Sequence, residues 1–194
     1  MPSDQAPAPG PAAPRAAGRP SALAVEVPEA EPLVAGVRAV RDPGATEGMP
    51  AHVTVLYPFL DPGDVDAGLS RLRALMARVP AFDVAFTRVD HVPGVLWLHP
   101  EPDAPFRALT ATLAAAYPQH PPYRGRYADP QPHLSIARRL RPEQVDSALA
   151  EVRAAVDPGL PLRCAVRAVT LFVRDDAGQW RRREVLPLRA PGTV

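Results

Sequence analysis

The sequence predicts an α+β fold built twice over, its halves related by a pseudo-twofold axis. Three observations carry this. Period-two apolar stretches, as in strands, interleave along the chain with stretches of helical spacing. A short strand beginning His-x-Thr/Ser occurs twice, as HVTV at 52–55 and HLSI at 133–136. The spacing to the next strand also repeats, since His52 precedes Phe82 by 30 residues and His133 precedes Leu162 by 29. The order strand, helix, motif strand, helix, strand, strand therefore fits both halves, with one pair of elements shared between them.

Residues 1–20 are mostly Pro, Ala and Gly, without hydrophobic periodicity. They cannot bury enough surface to offset the entropy of ordering, which predicts a disordered tail. The tail has no apolar central region and so does not read as a secretory signal. The folded part, 21–190, opens with the alternation Leu23, Val25, Val27. Leu33, Val34, Val37 and Val40 then take helical spacing, with Pro32 in the first turn, where its missing N–H costs nothing. The first motif strand follows at 51–57. Val65, Leu69, Leu72, Met76 and Val79 mark a helix, Phe82, Val84 and Phe86 a strand, and 95–98 a further strand after the Pro93-Gly94 turn. Phe106, Leu109, Leu113 and Tyr117 form another helical face. A loop rich in Pro, Tyr and Arg leads to the second motif, and Val145, Leu149, Val152 and Val156 form a helix opened by Pro142. Two strands, around 162–173 and 179–188, close the chain about the DDAG turn.

A chain of 194 residues with net charge +1 can bury a full core, and carries no broad basic footprint for nucleic acid or membrane. No run approaches the ~18 apolar residues of a membrane span. All 22 basic side chains are arginine. A lysine nucleophile, whether Schiff base or lysyl-nucleotide adduct, is thereby excluded, while the arginine fork suits phosphate. The single Cys164 excludes an internal disulfide, sits in an apolar stretch as a buried thiol, and points to a cytosolic protein.

Alternate strand side chains share a face. His52 and Thr54 therefore stand together, as do His133 and Ser135, with Val53, Val55, Leu134 and Ile136 turned to the core. Ser and Thr make up only 12 of 194 residues, so two such histidines arise by chance in roughly one shuffled sequence in several hundred. Two imidazoles across a cleft, each beside a hydroxyl, suit phosphodiester chemistry. A neutral imidazole removes a proton from water or a sugar hydroxyl, and a protonated one gives a proton to the leaving oxygen. The hydroxyls of Thr54 and Ser135 hydrogen-bond the non-bridging oxygens as charge builds there. No metal or other cofactor is called for, and no His-Glu-x-x-His cluster is present.

HVTV and HLSI, with the wider HVTVLYPF context, resemble the paired motifs of the 2H phosphoesterase superfamily. The nearer likeness is its branch of bacterial RNA 2′,3′-cyclic phosphodiesterases and 2′-5′ RNA ligase-like proteins, over roughly 21–190. The resemblance implies a bilobal α+β duplication, with two mostly antiparallel sheets flanked by helices around a central cleft. It also implies His52 and His133 as the acid/base pair, and Thr54 and Ser135 as phosphate ligands.

Arg138 follows the second motif, as an arginine does in similar proteins. Strict alternation points it away from His133, and a strand that ends or twists there returns it to the site. Arg124 and Tyr127, in the loop before the motif, are candidates to close over a phosphate or stack on a base. Tyr57 is expected in the core with Val53 and Val55. Arg181, Arg182 and Arg183 alternate across an exposed edge strand, and His91, His99 and His120 lack a hydroxyl partner.

These readings predict a monomeric, metal-independent hydrolase of 2′,3′-cyclic phosphates at RNA or nucleotide ends, with 2′-5′ joining as its reverse. Two alternatives use the same cleft. One is a binding module that holds a nucleotide or RNA end without turnover. The other is an enzyme of the same chemistry acting on a small cyclic phosphate.

Overall fold

The computed structural model describes residues 20–190. Apart from Pro20, the expected disordered tail lies outside the described residues. Eight strands form one sheet, β1 (Ala22–Glu26), β2 (His52–Leu56), β3 (Phe82–Val92), β4 (Val95–Glu101), β5 (Leu134–Arg138), β6 (Leu162–Val166), β7 (Ala168–Arg174) and β8 (Trp180–Pro187). Five helices punctuate them, α1 (Glu31–Arg41), the single turn α2 (Pro43–Thr46), α3 (Val65–Met76), α4 (Ala104–Ala116) and α5 (Val145–Val156). None is long and apolar enough to cross a membrane.

The periodicities act as expected, save that Val40, expected on the apolar face of α1, is 79% exposed. Val65, Leu69, Leu72 and Met76 of α3, Phe106, Leu109 and Leu113 of α4, and Val152 and Val156 of α5 are buried. They pack with Leu23, Val25, Val53, Leu134 and Ile136 in the main core. Pro32 does lie in the first turn of α1.

The sheet departs from expectation in two ways. It is a single eight-stranded sheet, in the order β6-β3-β4-β5-β2-β1-β7-β8, and not two. The motif strands β2 and β5 meet antiparallel at its centre through the pair Val53–Leu134, so the expected division became a narrow seam. The stretch 162–173 is also two strands broken at Arg167, with β6 paired to β3 and β7 to β1. One residue can link strands so far apart in the order because the sheet curls until its ends meet. There, Pro80 bridges Arg189 and the Leu188 amide donates to the Arg167 carbonyl at 2.8 Å. A smaller cluster of Ala22, Ala24, Met49, Phe172 and Trp180 covers part of the sheet face turned away from the main core.

Candidate functional site

The motif residues sit at the seam. Burial alternates along β2, with Val53 and Val55 buried and His52 and Thr54 partly open; β5 repeats this with Leu134 and Ile136 against Ser135. His133 lies one residue before β5. Continuing the Val53–Leu134 register sets His52 opposite Ser135 and Thr54 opposite His133. The four groups therefore share one face of adjacent strands, with the histidines on a diagonal, a relation that spans about 7–8 Å in a regular antiparallel pair.

Both imidazoles are held alike. His52 Nδ1 lies 2.7 Å from the Pro50 carbonyl and His133 Nδ1 lies 2.7 Å from the Gln131 carbonyl, each two residues upstream. A carbonyl only accepts, so Nδ1 carries the proton in both rings and Nε2 offers its lone pair in the neutral form. The supporting peptides are themselves pinned. Glu31 accepts from the Ala51 amide at 2.6 Å, and Arg38 donates to the Met49 carbonyl at 3.0 Å. Arg107 holds the other side by donating to Asp103, Asp129 and Gln131.

Packing around the two imidazoles sets their titration. Desolvation, reinforced by Arg38 and Arg138, lowers the pKa of His52 to about 4, against the opposing pull of the Pro50 carbonyl and Asp42. His133 is lowered by desolvation and by Arg138. Burial pushes Cys164 up to about 11, which leaves its thiol protonated and unreactive. Among the described residues no group of three or more His, Cys, Asp or Glu side chains forms that could hold a metal ion.

A bulge in each motif strand changes which residues belong to the site. Val55 is the extra residue in β2, between Thr54 paired to Ala24 and Leu56 paired to Leu23. Ile136 is its counterpart in β5, between Ser135 paired to Trp97 and Ala137 paired to Leu96. Each bulge lies three residues after its histidine, and the face of every later side chain flips. Tyr57 leaves the core side and packs on the smaller cluster, 6.1 Å from Trp180, correcting its expected place. Arg138, which strict alternation points away, turns to the site side and donates from Nε to Asp42 Oδ1 at 2.7 Å.

Arg124 and Tyr127 remain exposed, Tyr127 at 52%. Tyr127 packs edge-on against Tyr123. Tyr123 is the loop residue that reaches the site, where its amide donates to the Tyr57 carbonyl at 2.6 Å and it shares a small cleft with Thr54. Tyr123 and Arg124 hold φ of 50° and 57°, a left-handed turn that period counting cannot see. Trp97, paired to Ser135, packs 5.6 Å from the His133 ring. Arg38 and Asp42 form a buried ion pair at 3.0 Å. Their signal was available, because Arg38 falls on the apolar stripe of α1 and Asp42 follows at i+4. A groove of about 600 Å³ is lined by residues that include Met49, Pro50, Phe172, Trp180 and Arg182, and by none of His52, Thr54, His133 and Ser135.

A comparison with curated protein sequences finds no significant match. Solved structures share the fold. E. coli LigT complexed with 3′-AMP matches with a TM-score of 0.61 at 19% identity, covering 88% of this chain and 98% of LigT. A phosphoesterase matches at 0.58 and 20% identity, covering 88% and 99%, and TT0787 of Thermus thermophilus at 0.58 and 18%, covering 89% and 99%. A family model described as the 2′-5′ RNA ligase superfamily matches residues 24–178. With the match spanning most of the chain and both motif strands, the protein belongs to the 2′-5′ RNA ligase superfamily of 2H phosphoesterases.

Proposed function

We propose that the protein hydrolyses cyclic phosphates, foremost 2′,3′-cyclic phosphates at RNA or nucleotide ends, with His52 and His133 as its acid/base pair and no metal ion. The observation that carries the reading is the pair of imidazoles locked in one tautomer, each with Nε2 unbonded and a hydroxyl beside it. His52 has two arginines nearby and a pKa of about 4, so it is neutral at working pH and fits the base. His133 is lowered by desolvation and by one arginine, Arg138, where His52 has two, and fits the acid.

In this reading Nε2 of His52 takes a proton from water as the water oxygen bonds to phosphorus. The bond from phosphorus to one ring oxygen breaks, and His133 gives that oxygen its proton. The product is a phosphomonoester, and the cycle closes as His52 releases its proton to solvent and His133 takes one up. Each proton transfer is worth about 10²–10⁴-fold. Thr54, Ser135 and Arg138 stabilise the non-bridging oxygens, the hydroxyls by donating to them. With a 5′-hydroxyl in place of water, the same groups join two ends through a 2′-5′ bond.

Two observations favour a short ligand. LigT has been captured with 3′-AMP, ATP and NADP+. Arg181, Arg182 and Arg183 are engaged by Asp175, Glu26 and Asp66, which weakens them as a track for a long phosphate backbone. The pseudo-twofold duplication belongs to the same proposal, supported by the seam at the centre of the strand order and by bulges at matching positions.

The test is hydrolysis, with chelator present, of 2′,3′-cyclic nucleotides and of an oligonucleotide ending in the cyclic phosphate. His52→Ala and His133→Ala are each expected to lose at least ~10²-fold. Folded wild-type protein that leaves every one of these substrates intact would refute the reading.

A further inference from the structure

We infer that Asp42 is a positioning residue that aims Arg138 at the phosphate, so that a carboxylate from one half of the chain sets the charge supplied by the other. The inference rests on the phosphodiesterase reading for what Arg138 touches. Its geometry is independent of that reading.

Asp42 ends α1, caps α2 and has almost no exposed side chain, at 1%. Both its oxygens are occupied. Oδ1 accepts from the Gly44 amide at 3.0 Å and from Arg138 Nε at 2.7 Å. Oδ2 accepts from Arg38 Nε at 3.2 Å and Nη2 at 3.0 Å. Arg38 is buried in turn and tied to the Met49 carbonyl. A carboxylate gripped from three sides cannot swing, so the arginine it holds by Nε is fixed too, with its terminal nitrogens still able to donate. The α2 backbone supplies a wall, since a Cβ on Gly44 would lie 2.5 Å from Arg138 Nη2. Arg138 itself is 42% exposed, and a free arginine so exposed would lose rotamer freedom on meeting an anion. The clamp settles that cost in advance. The rival account is a plain brace between α1 and β5, in which Asp42 contributes to stability only.

The experiment compares wild type, Arg138→Ala, Asp42→Asn, Gly44→Ala and the double variant Asp42→Asn/Arg138→Ala. The substrate is cytidine 2′,3′-cyclic phosphate, and urea unfolding runs alongside. Gly44→Ala keeps both members of the Arg38–Asp42 pair and acts chiefly on the arginine, its Cβ lying 2.5 Å from Arg138 Nη2 against 3.3 Å from Asp42 Oδ1, so it serves if Asp42→Asn does not fold. A misplaced group near the reacting atoms costs up to ~10²-fold. Asp42→Asn and Gly44→Ala are each expected to lower kcat/KM by about 10- to 100-fold, and the pH limbs of the Gly44→Ala profile are expected to move up, because Arg138 in its wild-type place lowers both histidines. Asp42→Asn added to Arg138→Ala is expected to cost less than about 3-fold more, because the two act as one unit. Losses that multiply in the double variant, or folded single variants with wild-type kinetics, overturn the inference in favour of the brace.

If wild type turns over no cyclic phosphate, the function reading has failed, and calorimetric binding of 3′-AMP decides the positioning role. Asp42→Asn that weakens binding about 10-fold with Arg138 present and has no effect without it upholds the role. Unchanged binding, or none by wild type, overturns it.

Discussion

Acidification from pH 7 to pH 5 is expected to cost the native state about 2 kcal/mol through His52 alone. Its imidazole titrates near 4 in the folded chain and at about 6.5 in an unfolded one. Between those values the unfolded state binds a proton that the native state refuses, so stability falls as pH falls. At pH 7 the term is a few tenths of a kcal/mol. Two-state linkage gives about 2 kcal/mol at pH 5 and about 3 at pH 4. His133, lowered by the same desolvation, acts in the same direction. Urea unfolding of wild type and of His52→Asn at pH 7 and pH 5 isolates the term, because asparagine is uncharged in both states. The wild type is expected to lose about 2 kcal/mol more than the variant over that interval. Equal losses would mean that His52 takes up its proton as readily folded as unfolded, and would refute the desolvation argument.

Three further outcomes follow from the geometry. With a neutral His52 and a protonated His133 both required, kcat/KM rises with pH as His52 deprotonates near 4 and falls as His133 deprotonates below 6.5. A bell with its optimum on the acid side of 6.5 is expected, and an optimum above 7.5 contradicts the assignment. Leu134→Ala removes a fully buried side chain from the seam and is expected to cost about 2–5 kcal/mol in urea unfolding. Arg107→Ala frees Gln131, whose carbonyl orients His133. It is expected to lower kcat about 10-fold with little change in KM, since a support is lost and not a binding contact.

Much of this molecule was legible in one dimension. The strands of 52–56 and 134–138 and the stripes of α3 and α4 stand where the apolar period puts them, because that pattern reflects which face each element must bury. The coincidence of His52, Thr54, His133 and Ser135 was legible for the same reason, since alternation forces histidine and hydroxyl onto one face. Arg38 and Asp42 were half legible, as charges on or beside an apolar helical stripe whose partners a stripe cannot name. Tyr123 was not, because a loop in left-handed conformation leaves no period to count.

By itself the sequence determined the residue chemistry at the site, the absence of any lysine nucleophile, and a twice-repeated order of strands and helices. The tertiary structure alone decided that the two motif strands pair directly in one curled sheet, that 162–173 breaks at Arg167, and which side chains after each motif face the histidines. The reason is register. Strand side chains alternate with a period of two, so one bulged residue, Val55 or Ile136, reverses the face of everything beyond it. The bulge exists only in the pairing of β2 with β1 and of β5 with β4. No local pattern contains it, and it is what brings Arg138 to the side of His52 and His133.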